Sequence, residues 1–192
     1  MEKKSTVLIS GGIDSCVALY WAIKEGLGPS CLTFTYPEQP QPEKEAIDRI
    51  CAATNTPRYS IEHPLVLGAD IKPLIPDNLF YYATAIAFAR NNGIDYVIGG
   101  QNKDDWIESN DAPPMFYNQM NNLLNTSYGQ DIIQILQPLL YLSKLDVVKL
   151  GLSLGAPLEH TWSCQGAGPN PCGICSSCIT RTEIAKQMGI NL

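Results

Sequence analysis

Basic residues are scarce in this chain. Its 192 residues include 13 Lys and Arg against 19 Asp and Glu, a formal net charge of −6. That balance excludes bulk binding along a nucleic-acid backbone, which needs a clustered basic surface. It leaves room for a small nucleotide, which needs only a few local donors. Histidine is scarcer still: His63 and His160 are the only two. No Cys-His or Ser-His constellation stands out, so both histidines read as structural. Long apolar runs are missing as well. The opening "MEKKSTVLISGG" holds a three-residue apolar run before its glycines, too short for a signal peptide or a membrane span. There is no internal repeat. No Lys follows the first glycines, so the Walker A pattern is absent, and G-x-G-x-x-G is absent too.

What is present suits one domain spanning 1–192. Hydrophobic residues make up 45% of the chain and charged residues 17%, enough for an ordinary core. Of seven cysteines, Cys16, Cys31 and Cys51 are scattered in apolar or helical surroundings and read as buried thiols. The other four, Cys164, Cys172, Cys175 and Cys178, crowd into "CQGAGPNPCGICSSC". Without an export signal, such crowding reads as metal binding rather than a disulfide framework, and the expected compartment is the cytoplasm.

Short β-branched and aliphatic runs alternate with amphipathic ones. "STVLIS", "PSCLTFTYP", "RYSIEHPL", "IDYVIGG" and "DIIQILQPL" read as strands. Between and after them, "DSCVALYWAIKEG", "EKEAIDRICAATN", "DNLFYYATAIAFARNNG", "PMFYNQMNNLLNTSYG", "SKLDVVKLGLSLG" and "TRTEIAKQMG" read as helices. The first helix is expected to present Cys16, Val17, Leu19, Tyr20, Ala22 and Ile23 mostly on one side. Asp77 is expected to cap the third helix and Ser143 the helix after the fifth strand. This alternation predicts an α/β fold with a doubly wound parallel sheet. Ligands of such folds sit at the carboxyl ends of the strands. Gly11–Gly12, residues 37–42 and residues 100–105 should lie there.

The stretch "LISGGIDSC" places Ser10 to Ser15 between a strand and a helix. Gly11 and Gly12 clear side chains away, so backbone N–H groups can approach an anion. Ser10 and Ser15 add hydroxyl donors, and the helix N-terminus aims at the same spot. Asp14, odd in an anion site, suits a Mg²⁺ ion bridging phosphates. Read alone, the stretch is equally a tight turn with an Asp or Ser cap. At the other end the spacing is C-x7-C-x2-C-x2-C, with Gly173 giving the turn between two ligands. Four thiolates close a tetrahedral Zn²⁺ site with no open position, which is structural; an iron–sulfur cluster is the rival. Residues 160–192 thus read as a metal-binding segment within the domain.

Two resemblances follow from these residues. S-G-G-x-D-S after an N-terminal strand resembles the PP-loop of the N-type ATP pyrophosphatases, whose fold is Rossmann-like and adenine nucleotide alpha hydrolase-like. "PLLYLSKLDVVKLGLSLGAPLEHTWSC" followed by "CGICSSC" is similar to the 7-cyano-7-deazaguanine synthase family of queuosine biosynthesis, over nearly the whole chain. The resemblance implies an ATP-dependent C–N ligase. It would adenylate 7-carboxy-7-deazaguanine, couple it to ammonia to give the amide, and convert the amide to the nitrile, 7-cyano-7-deazaguanine. It also implies one structural Zn²⁺ on Cys164, Cys172, Cys175 and Cys178, and ATP with Mg²⁺ as co-substrate. Ser10, Gly11, Gly12, Asp14 and Ser15 match the pyrophosphate loop. Asn102, Asp105, Asp111 and Phe116 match the deazapurine pocket, Pro76 and Asn78 a P-x-R-N element, and Ser143 with Lys144 an S-K pair. Asp14, Ser15 and Lys144 are the expected catalytic residues. Trp106 either stacks on the base or anchors the core, and the core is the favoured reading. A homodimer is expected, with no direct nucleic-acid or membrane partner.

The chain departs from the family at three places. "IPDNL" lacks the Arg of P-x-R-N, "PEQPQPEKE" stands where the family has Q-R-H, and "DAPPMF" has lost a Cys and an Arg. These losses keep alternatives open. One is a divergent paralogue joining the deazaguanine carboxyl to another amine, such as a protein N-terminus in antiphage defence. Another is a tRNA-thiolation enzyme of the PP-loop class, which the acidic charge opposes. A third is a zinc-stabilised nucleotide-binding subunit without catalysis, which Asp14 opposes.

Overall fold

The computed structural model describes residues 3–37, 39–62, 78–130, 132–166 and 168–192, with Ile107 and Glu108 described as backbone only. In chain order the elements are β1 (Ser5–Leu8), α1 (Ile13–Lys24), β2 (Pro29–Thr35), α2 (Gln41–Thr54), β3 (Arg58–Glu62) and α3 (Asn78–Asn91). Then come β4 (Tyr96–Ile98), the single turn α4 (Asp105–Glu108), α5 (Pro114–Tyr128), β5 (Gln134–Leu136) and α6 (Lys144–Ser153). A 3-10 turn at Leu158–His160 precedes α7 (Ser176–Met188).

The five strands form one parallel sheet in the order β3-β2-β1-β4-β5. Parallel strands need crossovers, and the helices supply them, so both sheet faces are covered. The period-2 pleat sorts side chains between two cores. Val7 lies opposite Ile98, and both pack into the core beneath α1, α2 and α6. Leu32 and Val97 point the other way, into the core under α3 and α5. β1 is the central strand, and Thr6 and Val7 are fully buried. Reversal of strand order between β2 and β4 opens a crevice above the carboxyl end of β1, where such folds bind ligands.

Three expectations need correction. α1 is not one-sided: the sheet and α6 both pack against it, and Ile13, Ser15, Cys16, Val17, Ala18, Leu19 and Ala22 are all buried. Ile23, expected inside, is 41% exposed. α7 begins at Ser176, four residues before the expected helix, so it carries Cys178 on its first turn. The strands of "IDYVIGG" and "DIIQILQPL" shrink to three residues each. Ser143 does cap α6, accepting from the Asp146 N–H at 3.2 Å. Cys16, Cys31 and Cys51 are buried, and burial pushes the Cys16 thiol up to about 12. The Asp77 cap, His63 and Pro76 lie outside the described residues. Among the described residues no helix is long and apolar enough to cross a membrane.

Candidate active site

Gly11 takes φ +84°, a conformation that strongly favours glycine, and a Cβ there would also meet the Glu43 carbonyl at 3.0 Å. Gly12 then stands extended as the N-cap of α1, with no side chain capping the helix. Ser10 and Ser15 close the loop on itself. The Ser10 hydroxyl donates to Ser15 Oγ at 3.3 Å, and Ser15 Oγ donates to the Gly12 carbonyl at 3.0 Å. Trp162 N–H donates to the Gly11 carbonyl at 2.8 Å, so the segment before the cysteines holds the loop from above. From the other side β4 runs in close. A Cβ at Gly100 would lie 2.8 Å from the Asp14 carbonyl carbon, so only glycine fits there.

Asp14 is the meeting point. One carboxylate oxygen pairs with Lys144 Nζ, and the other accepts from Asn102 Nδ2 at 3.2 Å. Lys144 is the first residue of α6, and its N–H donates to Asp104 Oδ2 at 2.9 Å. Asp105 Oδ2 accepts from the Asn102 N–H at 2.8 Å, which folds residues 102–105 into a tight turn. Residues from β1, α1, β4 and α6 thus converge, although 130 positions separate Asp14 from Lys144.

Two cavities share Asp14 and Asp105. The first, of about 350 Å³, lies over β1, β2 and β4. Its walls include the rings of Phe34, Tyr36 and Tyr81, with Ser10, Ser15, Asn78, Gln101 and Glu43 supplying polar groups. Phe34 and Tyr81 stand 4.9 Å apart at the centroids. Burial pushes the Glu43 carboxyl above its ordinary range, against hydrogen bonds from Gln39 Nε2 at 2.7 Å and Tyr36 OH at 3.4 Å. The second cavity, of about 280 Å³, runs from Gly12 and Asp14 past Asn102 and Lys144 to Trp162, Ser163 and Arg181.

Most of the expected residues come together here. Ser10, Asp14, Ser15, Asn78 and Asp105 line the first cavity, and Gly12, Asn102 and Lys144 the second. Two expected pocket residues line neither. Asp111 is 2% exposed, and one of its oxygens accepts from the Asn78 N–H at 2.8 Å while the other accepts from Ser109 Oγ. It caps the first turn of α3. Phe116 packs edge-on against Tyr117 at 5.1 Å. Trp106 is a core anchor, packed against the α3–α5 core and edge-on to Tyr141. Sequence reasoning missed Glu43, Arg181 and a buried relay. In that relay Gln137 Nε2 donates to Tyr82 OH, Tyr82 OH to Gln101 Oε1 at 2.5 Å, and Gln101 Nε2 to Asn78 Oδ1 at 3.1 Å. It orients two cavity-lining amides from residues that nothing local in the sequence links.

The four expected metal ligands also converge. The Sγ atoms of Cys164, Cys172, Cys175 and Cys178 all lie within 4.8 Å of one another. A tetrahedral thiolate site with bonds of about 2.3 Å spaces its sulfurs by about 3.8 Å, so one ion fits. Backbone N–H groups favour the thiolate form. Those of Cys172 and Gly166 donate to Cys164 Sγ at 3.3 and 3.2 Å and lower its pKa. Those of Gln165 and Cys178 bring the Cys175 thiol down to about 6. Among the described residues this is the one group of Cys, His, Asp or Glu whose ligand atoms converge on a single point.

A parallel sheet whose first strand feeds Ser-Gly-Gly-x-Asp-Ser into a helix N-terminus defines an α/β nucleotide-binding protein of the PP-loop ATP pyrophosphatase class. Solved structures share the fold. NMN synthetase from Francisella tularensis superposes with a TM-score of 0.60 at 21% identity, covering 99% of this chain and 74% of that one. A 4-thiouridine synthetase in complex with RNA and ATP gives a TM-score of 0.56 at 21% identity, covering 97% of this chain and 50% of that one. Within the class, the chain belongs to the family of queuosine biosynthesis protein QueC, whose model matches residues 4–77 and 72–189. The 7-cyano-7-deazaguanine synthase of Nitratiruptor sp. is 32% identical over 97% of this chain and 95% of its own length. That of Thermoplasma volcanium is 32% identical over 98% and 89%. These relatives make up an ATP-dependent enzyme family, and the chain is an enzyme of that kind.

Proposed function

We propose that this enzyme makes 7-cyano-7-deazaguanine from 7-carboxy-7-deazaguanine, ammonia and two molecules of ATP. The observation that carries the reading is the pair of cavities meeting at Asp14, one walled by aromatic rings and one by phosphate-type donors, in a chain of this family. The flat heterocycle suits the first cavity, where Asn78 and Asp105 offer acceptors to guanine-like N–H groups. The loop of Ser10, Gly11, Gly12 and Ser15 faces the leaving pyrophosphate with hydroxyls and backbone N–H groups.

The carboxylate oxygen attacks the α-phosphorus, and the bond to the β-phosphate oxygen breaks to release pyrophosphate. Ammonia attacks the acyl-adenylate, AMP leaves, and the nitrogen sheds a proton to give the amide. A second adenylation, on the amide oxygen, lets AMP depart again with loss of protons, leaving the nitrile. Lys144 now neutralises Asp14. Asp14 would hold the Mg²⁺ that accompanies ATP, and Lys144 Nζ would then be free to meet phosphate oxygens. No step needs a nucleophilic side chain. The four cysteines would hold one Zn²⁺, which would supply folding stability rather than chemistry.

Mass spectrometry of the products from 7-carboxy-7-deazaguanine, ATP and ammonium tests the reading. The nitrile should appear with two AMP and two pyrophosphate per turnover. The changed segments "IPDNL", "PEQPQPEKE" and "DAPPMF" favour a second reading, transfer of the acyl group to another amine such as a protein N-terminus. Pyrophosphate release with neither amide nor nitrile would select it. Elemental analysis should return one zinc per chain; iron with labile sulfide would replace the structural role by a cluster.

A further inference from the structure

Arg181 has no place in the reading above. It sits on α7, three residues past Cys178, and its guanidinium is half-buried. One terminal nitrogen donates to Thr161 Oγ1 at 2.8 Å and Ser163 Oγ at 2.9 Å; the other donates to the Leu158 carbonyl at 3.2 Å. All three acceptors are neutral. Among the described residues no carboxylate lies within ion-pair distance of Arg181. Its nearest negative charge is the Cys178 thiolate one turn back on α7, which the cysteine cluster shares. A partly desolvated cation with no carboxylate of its own is costly, and its cost falls when an anion binds in front of it. The neutral acceptors fix where the fork points.

Arg181 lines the second cavity, opposite the Gly12–Asp14 edge of the loop. Lys144 is the other cation of that lining, and Asp14 already compensates it. The first cavity has no Lys or Arg among its lining residues. Arg181 is therefore the one cation on either wall with no carboxylate partner, among the described residues. Around it stand the hydroxyls of Ser163, Ser176, Ser177 and Thr180. At about 280 Å³ the space falls below the range of about 300–1,000 Å³ usual for drug-sized ligands, and it lacks the aromatic walls of its neighbour. It suits a compact, highly charged anion.

We propose that Arg181 is a pyrophosphate-binding residue, contacting the β- and γ-phosphate oxygens of ATP and then the released pyrophosphate across the second cavity from the PP-loop. This rests on the reading that ATP is cleaved at that loop. It makes α7, anchored by the cysteine cluster, one wall of the active site.

The test is calorimetric titration of Mg²⁺-pyrophosphate, and separately of adenosine and of 7-carboxy-7-deazaguanine, into wild type, Arg181→Gln and Arg181→Lys. Gln removes the charge while keeping a donor for Thr161 or Ser163; Lys keeps the charge without the fork. Pyrophosphate affinity should fall ten- to a hundred-fold in Arg181→Gln and less in Arg181→Lys. Adenosine affinity and metal content should match wild type. Unchanged pyrophosphate affinity in Arg181→Gln would overturn the proposal. So would loss of all ligands together with the metal, which marks a structural pin, or loss of the deazapurine alone, which marks a carboxylate contact. Pyrophosphate binding is read without acceptor or amine. A wild type that makes no nitrile but loses pyrophosphate through Arg181→Gln sinks the proposed reaction and leaves Arg181 in place. The reverse result sinks Arg181 alone.

Discussion

Asp14 has two partners before any ligand arrives, and both matter to what it can do. Lys144 and Asn102 hold its two oxygens in the mouth of both cavities, at the first turn of α1. Its side chain is 23% exposed, so the cost of desolvating the pair offsets much of the Coulomb gain and the pair adds little to stability. The pair is better suited to exchange: a phosphate-bound cation can take the carboxylate while Lys144 takes the phosphate. Asp14→Ala should therefore abolish pyrophosphate release, a loss of at least about a hundred-fold, while the fold and metal content stay intact. A phosphate-release assay coupled to pyrophosphatase reads the first, and normal turnover would remove Asp14 from the site. Glu43 is a different kind of carboxyl. Burial raises its pKa in the folded protein, so the fold prefers it protonated. Its contribution is fully present below the ordinary Glu pKa of about 4.3 and is lost as pH rises through the raised folded value. Glu43→Gln should remove that loss. Thermal melts should show the variant gaining on wild type as pH climbs from acid to neutral, and parallel curves would refute the assignment.

At the scale of elements, the carboxyl ends of β1 and β4 and the N-termini of α1, α3 and α6 surround the site. α3 starts at its rim, and Asp111, 33 residues downstream, accepts from the N–H of its first residue. Replacing a buried carboxylate that accepts from the Asn78 N–H and from Ser109 leaves orphaned donors. Asp111→Ala should cost about 2–4 kcal/mol in urea unfolding. Deazapurine affinity should fall only through a displaced Asn78. A variant of wild-type stability that has lost the deazapurine would make Asp111 a direct ligand instead. Periodicity made most elements legible. β-branched runs gave the five strands, and Ser143 marked the start of α6. What periodicity could not show is which helix covers which. Ile23 has the spacing of a core residue, yet it is exposed although the sheet and α6 both pack against α1. Of the site, the loop and the cysteines were legible because each is one contiguous motif. Arg181, Glu43 and the Tyr82–Gln101–Asn78 relay were not, since their meaning depends on contacts between segments far apart in sequence. Asp111 was legible as a conspicuous acid near the pocket, but its neighbours, not its chemistry, make it a cap.

For the molecule as a whole, the cysteine segment is the clasp between the sheet and its nucleotide loop. Trp162 N–H reaches the Gly11 carbonyl, and the Trp162 indole N–H donates to the Cys164 carbonyl at 2.9 Å. Arg181 ties α7 back to Thr161 and Ser163. The hydrophobic cores take a smaller share from this segment: Ile184 is buried in one of them, with Met188, Ile190 and Leu192 packed against it. Structural zinc in small sites contributes apparent binding energies of about 10–16 kcal/mol, so if the cysteines hold the proposed ion, its removal should free the segment. Hydrogen exchange on protein stripped with a chelator should show protection lost over residues 161–188 and at the loop from Gly11 to Ser15. The strands β1, β2 and β4 should stay protected, because their cores remain packed. Pyrophosphate affinity should fall with the metal, while binding in the aromatic cavity persists. If the sheet exchanges as fast as the tail, the cysteines hold the whole fold together. If neither changes, the segment folds without metal and the four converging thiols need another explanation.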